Sequence, residues 1–451
     1  MPWSKADVGS QRQRQFKASV PGALRRRKPR RKPKAGSKED EDPIANLPRH
    51  PAAKAVAPYS PRSELEDSYL RFLIYHSSDV TVVCVRTLTC VGPRFEWYPL
   101  AVRDDAFFHS LMSSTSSHAS YLQQHEVPRD YFYHRGVAIR LLNARLERGD
   151  HDLGTINTVC VFAQQEAFGN RPKTAKTHMT GLLQLVKASG GMEGLSSDPK
   201  TLRHMYFTDL AGAITLSAKP ILEPSINISD FETYFGEPSA DTVSYVQTFR
   251  TRLYNFTTSH LSNVAATALW GLRNITKLRD DFHEGTASPD TELSTDIQFT
   301  DRVEVLERLV HQLWYVEDGQ DEQHAIFRTF GWTCLIYIYT ILRELPKELA
   351  INTMLAGRIK SALESRMELN VLLATFKDLF LWEMFVCGRV ADGRDRTFFA
   401  SKATKILITR KLEHQEGILG AAEAFLWPER HVFGSPSSAA LSGHDHEMTD
   451  E

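Results

Sequence analysis

Cysteine is scarce in this 451-residue sequence: Cys84, Cys90, Cys160, Cys334 and Cys387, with no C-x-x-C pair among them. An odd, scattered set is poor material for structural zinc or a disulfide framework, so neither is expected, and a reducing, intracellular compartment is. Catalytic signatures are missing too. No H-E-x-x-H, G-x-S-x-G or Gly-Lys-Ser/Thr occurs, which removes the zincin, nucleophile-elbow and P-loop patterns. The opening MPWSKADVGSQRQRQ lacks the apolar core of a signal peptide. Long hydrophobic runs are absent from the most apolar stretch, VLLATFKDLFLWEMFVC (371–387). It is apolar at 13 of 17 positions, yet Thr375 and the charged Lys377, Asp378 and Glu383 break it into runs of at most four. A bilayer span needs roughly 20, so the stretch reads as a helix in the middle of a soluble bundle, and no membrane partner is expected.

What is present is a lopsided charge. The formal net charge is −1, but residues 1–38 hold thirteen Lys and Arg against one acid, Asp7. A basic arm on an acidic body is the pattern, and any polyanion contact falls to the arm. Its centre is RRRKPRRKPK: Arg25, Arg26, Arg27, Lys28, Arg30, Arg31, Lys32 and Lys34, followed by the acids Glu39, Asp40, Glu41 and Asp42. Pro29 and Pro33 oppose a continuous recognition helix. No aromatic residue lies between Ala18 and Asn46, so stacking on single-stranded bases is not provided for. An extended run of positive charge remains, the form a nuclear-import receptor reads as an address. Any DNA contact through it is expected to be weak, sequence-independent and steeply salt-dependent. Residues 1–60, poor in large aliphatics, are expected to be disordered, as is the polar tail 434–451.

Between these ends the recurrent signal is helical. RDYFYHRGVAIRLLNARLERGD puts Ala138, Leu141 and Leu142 on one face and stops at Gly149; LGTINTVCVFAQQEAFGN does likewise with Ile156, Val159, Cys160, Ala163 and Ala167. In the next segment Asn170 is the expected cap and Pro172 the first turn. Ala175, Met179, Leu182, Leu183 and Val186 repeat at helical spacing until Gly190 and Gly191. VTVVCVRTLTCV (80–91) fits strand or helix. CLIYIY (334–339) has strand propensity but lies in an apolar run from Ala325 to Leu342, too long for a strand, so helix is favoured. The expected fold is all-α, a large helical array over residues 65–430.

Candidate chemistry is thin. ASGGMEG (188–194) follows a helix, where glycines cap. His109, His118, His125 and His134 share no helix face well, and His444, Asp445 and His446 sit in a tail without fixed geometry. Ser110 with His109, or Asp150, His151 and Asp152, invite a triad, although Asp-His-Asp before a helix reads first as a turn and a complement to the helix N-terminus. No catalytic residue, metal or cofactor is assigned.

Four phrases carry a resemblance: FEWYPLAVRDDAFFHSLMSSTSSHASYL (95–122), KTHMTGLLQLVKASGGMEGL (176–195), TDLAGAITLSAKPIL (208–222) and LFLWEMFVCGRVADGRDRTFFASKATKIL (379–407). Together they resemble the fungal-specific transcription factor regulatory domain over most of residues 68–430. Relatives commonly carry six cysteines in an N-terminal zinc binuclear cluster, whereas residues 1–83 here contain none. The resemblance implies a nuclear regulator without that DNA-reading module, not an enzyme. Its ligands would be protein partners of the transcription machinery, the import receptor and, as an open option, a small effector. A helical enzyme with dispersed site residues, or an interaction protein unrelated to transcription, are the alternatives.

Overall fold

The computed structural model describes residues 100–123 except Val102, and 129–222, 234–256, 260–283, 292–315, 325–365, 375–410 and 425–426. The basic cluster Arg25 to Lys34, the whole arm 1–60, segment 80–91 and the tail 434–451 lie outside them. Among the described residues every regular element is helical, as the periodicity predicts. They fall into two compact units, one over residues 100–222 and the other over 234–426.

The first unit holds α1 (Asp105–Gln123), α2 (Arg129–Arg148), α3 (Leu153–Phe168), α4 (Pro172–Ala188), the single turn α5 (Gly191–Gly194) and α6 (Pro199–Leu216). Helix α3 is its axis, packed by α1, α2, α4 and α6 and buried at every position except Leu153 and Gln165. The expected one-sided face of Ile156, Val159, Cys160, Ala163 and Ala167 is buried, and so is the rest. Asp152 caps α3 by accepting from Thr155 N at 2.7 Å, the turn-and-cap role expected for that triplet. Gly154 makes room in the same turn, because a Cβ there would stand 1.7 Å from Asp104 Oδ2 and the Asp104 side chain would have to move.

Helix α2 ends at Gly149, φ +79°, as expected. The start of α4 differs by one residue. Arg171, not Asn170, is the N-cap, with φ −112° and ψ 73° and no side-chain cap bond, because Pro172 forces the residue before it out of the helical region. The chain reverses one position earlier, at Asn170, φ +50°, a conformation that Asn tolerates better than most residues. Ala175, Met179, Leu182 and Val186 are buried and Leu183 half-buried.

The second unit holds α7 (Ala240–Phe256), α8 (Leu261–His283), α9 (Glu292–His311), α10 (Ala325–Tyr337), a π-helical turn Ile338–Leu342, α11 (Ala350–Ser365), α12 (Lys377–Val390) and α13 (Gly393–Arg410). Ala325–Leu342 is one helical run, which decides CLIYIY for helix. By length and composition it could cross a membrane, yet 83% of it is buried inside the protein. It is the axis of this unit, with α8, α9, α11 and α12 around it. Helix α12 is buried as its composition suggests, including Phe380 at 1% and Trp382 at 0% exposure. It begins at Lys377 and not at 371: Phe376, φ −125° and ψ 40°, is the N-cap, and residues 371–374 lie outside the described set.

Candidate functional site

Polar side chains buried along the two axial helices are the candidate sites. In the first unit they form a closed seam. Asn157 Nδ2 donates to Leu153 O at 2.8 Å and Thr201 Oγ1 at 2.7 Å, and its Oδ1 lies 2.7 Å from His204 Nδ1, which acts as donor. Thr201 in turn donates to Asp198 Oδ2 at 2.9 Å. Two turns further along α3, Gln164 Nε2 donates to Thr208 Oγ1 at 2.7 Å. Gln165 Nε2 reaches Ser113 and Ser114 at 2.9 and 2.7 Å, and its Oε1 accepts from Arg135. Glu166, 4% exposed, is held by Arg135 at 2.6 Å and Arg171 at 2.5 Å. Burial alone would raise its carboxyl, but the hydrogen bond and charge of Arg171 with the charge of Arg135 more than offset this, and it lies below its ordinary value. Burial pushes His204 down to about 3 and His178 to about 4, so both imidazoles are neutral. The Cys160 thiol, fully buried, is pushed up to about 12, which makes it a packing residue and no nucleophile.

Two residues that share no sequence periodicity meet here. His109 on α1 and His134 on α2 face each other with Nδ1 atoms 2.7 Å apart, both buried. One ring must be the Nδ1–H tautomer and the other its acceptor. Twenty-five residues separate them, so only the α1–α2 pairing could reveal the contact. The serine beside His109 is not poised as a nucleophile: Ser110 Oγ donates to Phe107 O at 2.7 Å. Asp150 pairs with Arg148 at 2.8 Å. Among the described residues neither grouping suggested by sequence adjacency shows the hydrogen bonds of a triad. Among the described residues no three His, Cys, Asp or Glu side chains gather as a metal site.

The second unit treats its buried charge differently. Arg343 binds Glu307 in bidentate fashion, Nε to Oε1 and Nη2 to Oε2 each at 2.7 Å, with 2% and 0% of the side chains exposed. The π turn delivers it: Arg343 N bonds to Ile338 O at 2.8 Å, an i→i−5 closure that widens the helix. Glu304, one turn before Arg308 and 3.6 Å from it, is pushed up to about 7 by burial, which the charges of Arg308 and Arg343 only partly offset.

Glu383 is the outlier. It sits on α12 against α10, fully buried, and neither carboxylate oxygen has a hydrogen-bond partner among the described residues. Thr329 lies near enough to favour the charged form slightly, but its hydroxyl donates to Ile326 O at 3.2 Å, and that of Thr333 to Thr329 O at 2.8 Å. Burial therefore dominates and raises the carboxyl to about 8. Glu383 is a neutral acid at pH 7, and its charge, once it ionises at higher pH, raises the buried thiols Cys334 and Cys387 further. In the sequence it reads as a charge that interrupts a membrane-like run; nothing there shows that it points inward.

The family model described as the fungal specific transcription factor domain matches residues 89–424, and so runs through both units. Two of the four phrases behind the resemblance fall at α4 with its glycine turn and at the α12–α13 corner, where Gly393 adopts φ +51°. No curated protein and no solved structure matches the chain.

Proposed function

Because the chain belongs to the fungal-specific transcription factor domain family, we propose that it works in the nucleus as a helical regulatory body that binds protein partners of the transcription machinery. The observation that carries this reading is the extent of the match, which includes the axial helix of each unit. The chemistry of the interior agrees with it: Asn157, Gln164, Glu166 and Glu307 are tied to other protein groups in structural bonds, the pattern of a scaffold that presents surfaces rather than one that turns over a substrate. A small effector is the further ligand this reading admits. Import is assigned to Arg25, Arg26, Arg27, Lys28, Arg30, Arg31, Lys32 and Lys34 on their sequence alone, with a weak, salt-sensitive DNA contact as their second use.

The test is a tagged chain followed in cells and crosslinked to chromatin. Nuclear accumulation and recovery of defined promoter regions are expected. Replacing Arg25, Arg26, Arg27, Lys28, Arg30, Arg31 and Lys32 by Ala should move the protein to the cytoplasm and leave its melting temperature unchanged. A cytoplasmic wild-type chain, or one that never associates with chromatin, would overturn the reading.

A further inference from the structure

Phe425 is held in a way that resembles a bound ligand. Its side chain is fully buried and Leu426 beside it is 4% exposed. The ring lies against Trp382 of α12 at 5.1 Å between centroids and 35° between planes. Three more rings meet it edge-on: Tyr245 and Phe249 from adjacent turns of α7 at 6.0 and 5.9 Å, and Phe330 of α10 at 6.4 Å, at 83–88°. Edge contact is a preferred geometry of aromatic pairs, and it is satisfied three times around this ring, with Trp382 as a tilted fourth wall. The backbone is gripped as well, since Arg273 of α8 donates through Nη1 to the Phe425 carbonyl. That guanidinium is oriented by stacking on Tyr245, 5.0 Å from the centroid, and by Thr242 Oγ1 at 3.4 Å.

The cage does not need Phe425 to hold its walls. Phe249 touches Phe330 at 5.7 Å and Phe330 touches Trp382 at 6.1 Å. Tyr245 is pinned from outside by its hydroxyl, which donates to Asp378 Oδ2 at 2.5 Å, and Asp378 is itself clamped by Arg252 at 2.9 and 2.8 Å. The helices that supply the walls also pack on one another through α7–α8, α8–α10 and α10–α12. A preformed aromatic socket with a cation aimed at a backbone carbonyl is the equipment of short-peptide recognition: a buried anchor residue plus a main-chain hydrogen bond.

We propose that this cage is a peptide-binding site of the second unit, occupied in cis by the chain's own Phe425–Leu426 segment, which binds as a separable ligand. A partner peptide with an aromatic anchor competes for the same socket. The proposal is independent of the nuclear role above, because it concerns one pocket and one peptide in vitro.

The experiment uses the full chain and a fluorescent peptide of residues 421–430 (AAEAFLWPER). Phe425→Ala empties the socket while leaving its walls. Anisotropy should show saturable binding to that variant, and wild type should bind at least about tenfold more weakly because the tethered segment competes at high effective concentration. The same peptide with Ala at its Phe position should not bind. The intact peptide should raise the melting temperature of Phe425→Ala and leave that of wild type unchanged. Equal binding to wild type and variant, or none to a folded variant, would overturn the proposal. If Phe425→Ala does not fold, excess peptide present during refolding should restore helical content; failure to do so would show that Phe425 is an inseparable part of the core.

Discussion

Helices α3 and α10 occupy the same place in their units, each wrapped by four neighbours, and each has polar side chains in or against it. Around α3 most of these are matched, the Thr155 hydroxyl being an exception among the described residues. Asn157, Gln164, Gln165 and Glu166 meet Thr201, His204, Thr208, Ser113, Ser114 and Arg135 from the surrounding helices and Arg171 from the cap of α4. Around α10 the hydroxyls of Thr329 and Thr333 turn back to their own helix, so Glu383 arrives from α12 with no hydrogen-bond partner for either carboxylate oxygen among the described residues. A buried acid in that position stays neutral. The same burial has opposite consequences: it leaves Glu166 ionised because cations were folded in beside it, and Glu383 protonated because none were.

The largest effect expected of a test of this contrast comes from the ion pair the second unit does complete. Glu307→Ala removes the carboxylate that accepts from both Nε and Nη2 of the buried Arg343, and removing one partner of a buried pair costs about 3–5 kcal/mol. Urea unfolding should show that loss. Hydrogen exchange should place it in α9 and the π turn; a change under 1 kcal/mol would mean that the pair is hydrated in solution.

The pH response should split the units. A carboxyl such as Glu383, raised from 4.5 to about 8, keeps its proton when folded and loses it when unfolded. Its contribution is full below pH 4.5 and falls as pH rises toward 8, by about 1.4 kcal/mol per pH unit. Glu304 adds the same sign up to about 7. The first unit behaves oppositely. His204, lowered from 6.5 to about 3, leaves stability intact above pH 6.5 and erodes it as pH falls toward 3; the depressed Glu166 withdraws its contribution only below its ordinary range. Exchange protection measured from pH 5 to pH 8 should therefore rise in α3 and fall in α10 and α12. Glu383→Gln should flatten much of the second trend, and parallel profiles for the two units would break the comparison.

A smaller effect is expected where α3 begins. Gly154→Ala drives a methyl into Asp104, which caps α1 through Phe107 N at 2.8 Å and pairs with Arg145 at 2.7 Å. Losing a cap and a half-buried ion pair should cost about 1–2 kcal/mol, read as a lower melting temperature. Smallest of all is Lys277→Ala in the second unit. Its 3.6 Å partner is the exposed Asp281, and a shift beyond about 0.5 kcal/mol would be unexpected for such a surface pair.

Much of the helical frame could be read directly. Gly149 and the Gly190–Gly191 pair stop helices where they were expected, and Ala325–Leu342 is a helix because its length outweighs the β-branched character of its middle. The errors were local. Asn170 has the chemistry of a cap, but Pro172 dictates the geometry of Arg171 and moves the cap by one residue. Phe376 looks like the interior of a helix from its neighbours, yet it precedes one. Sites were far less legible. His109 and His134 became partners, and Phe425 found four rings, through pairings separated by dozens of residues. No local spacing encodes these.

By itself the sequence determined the helical periods, the scarcity of metal-binding cysteine, the charge of the arm and, through its motifs, the family. These follow from residue type and near neighbours, which is all that 3.6-residue periodicity and turn chemistry require. The tertiary structure decided which buried polar groups have partners. Whether a carboxyl meets an arginine, as Glu166 and Glu307 do, or only threonines already bonded to their own backbone, as Glu383 does, depends on which helix face is turned toward it. That facing fixes the charge state, because the energy of a buried ion is set by the atoms within a few ångströms of it and not by its position in the chain.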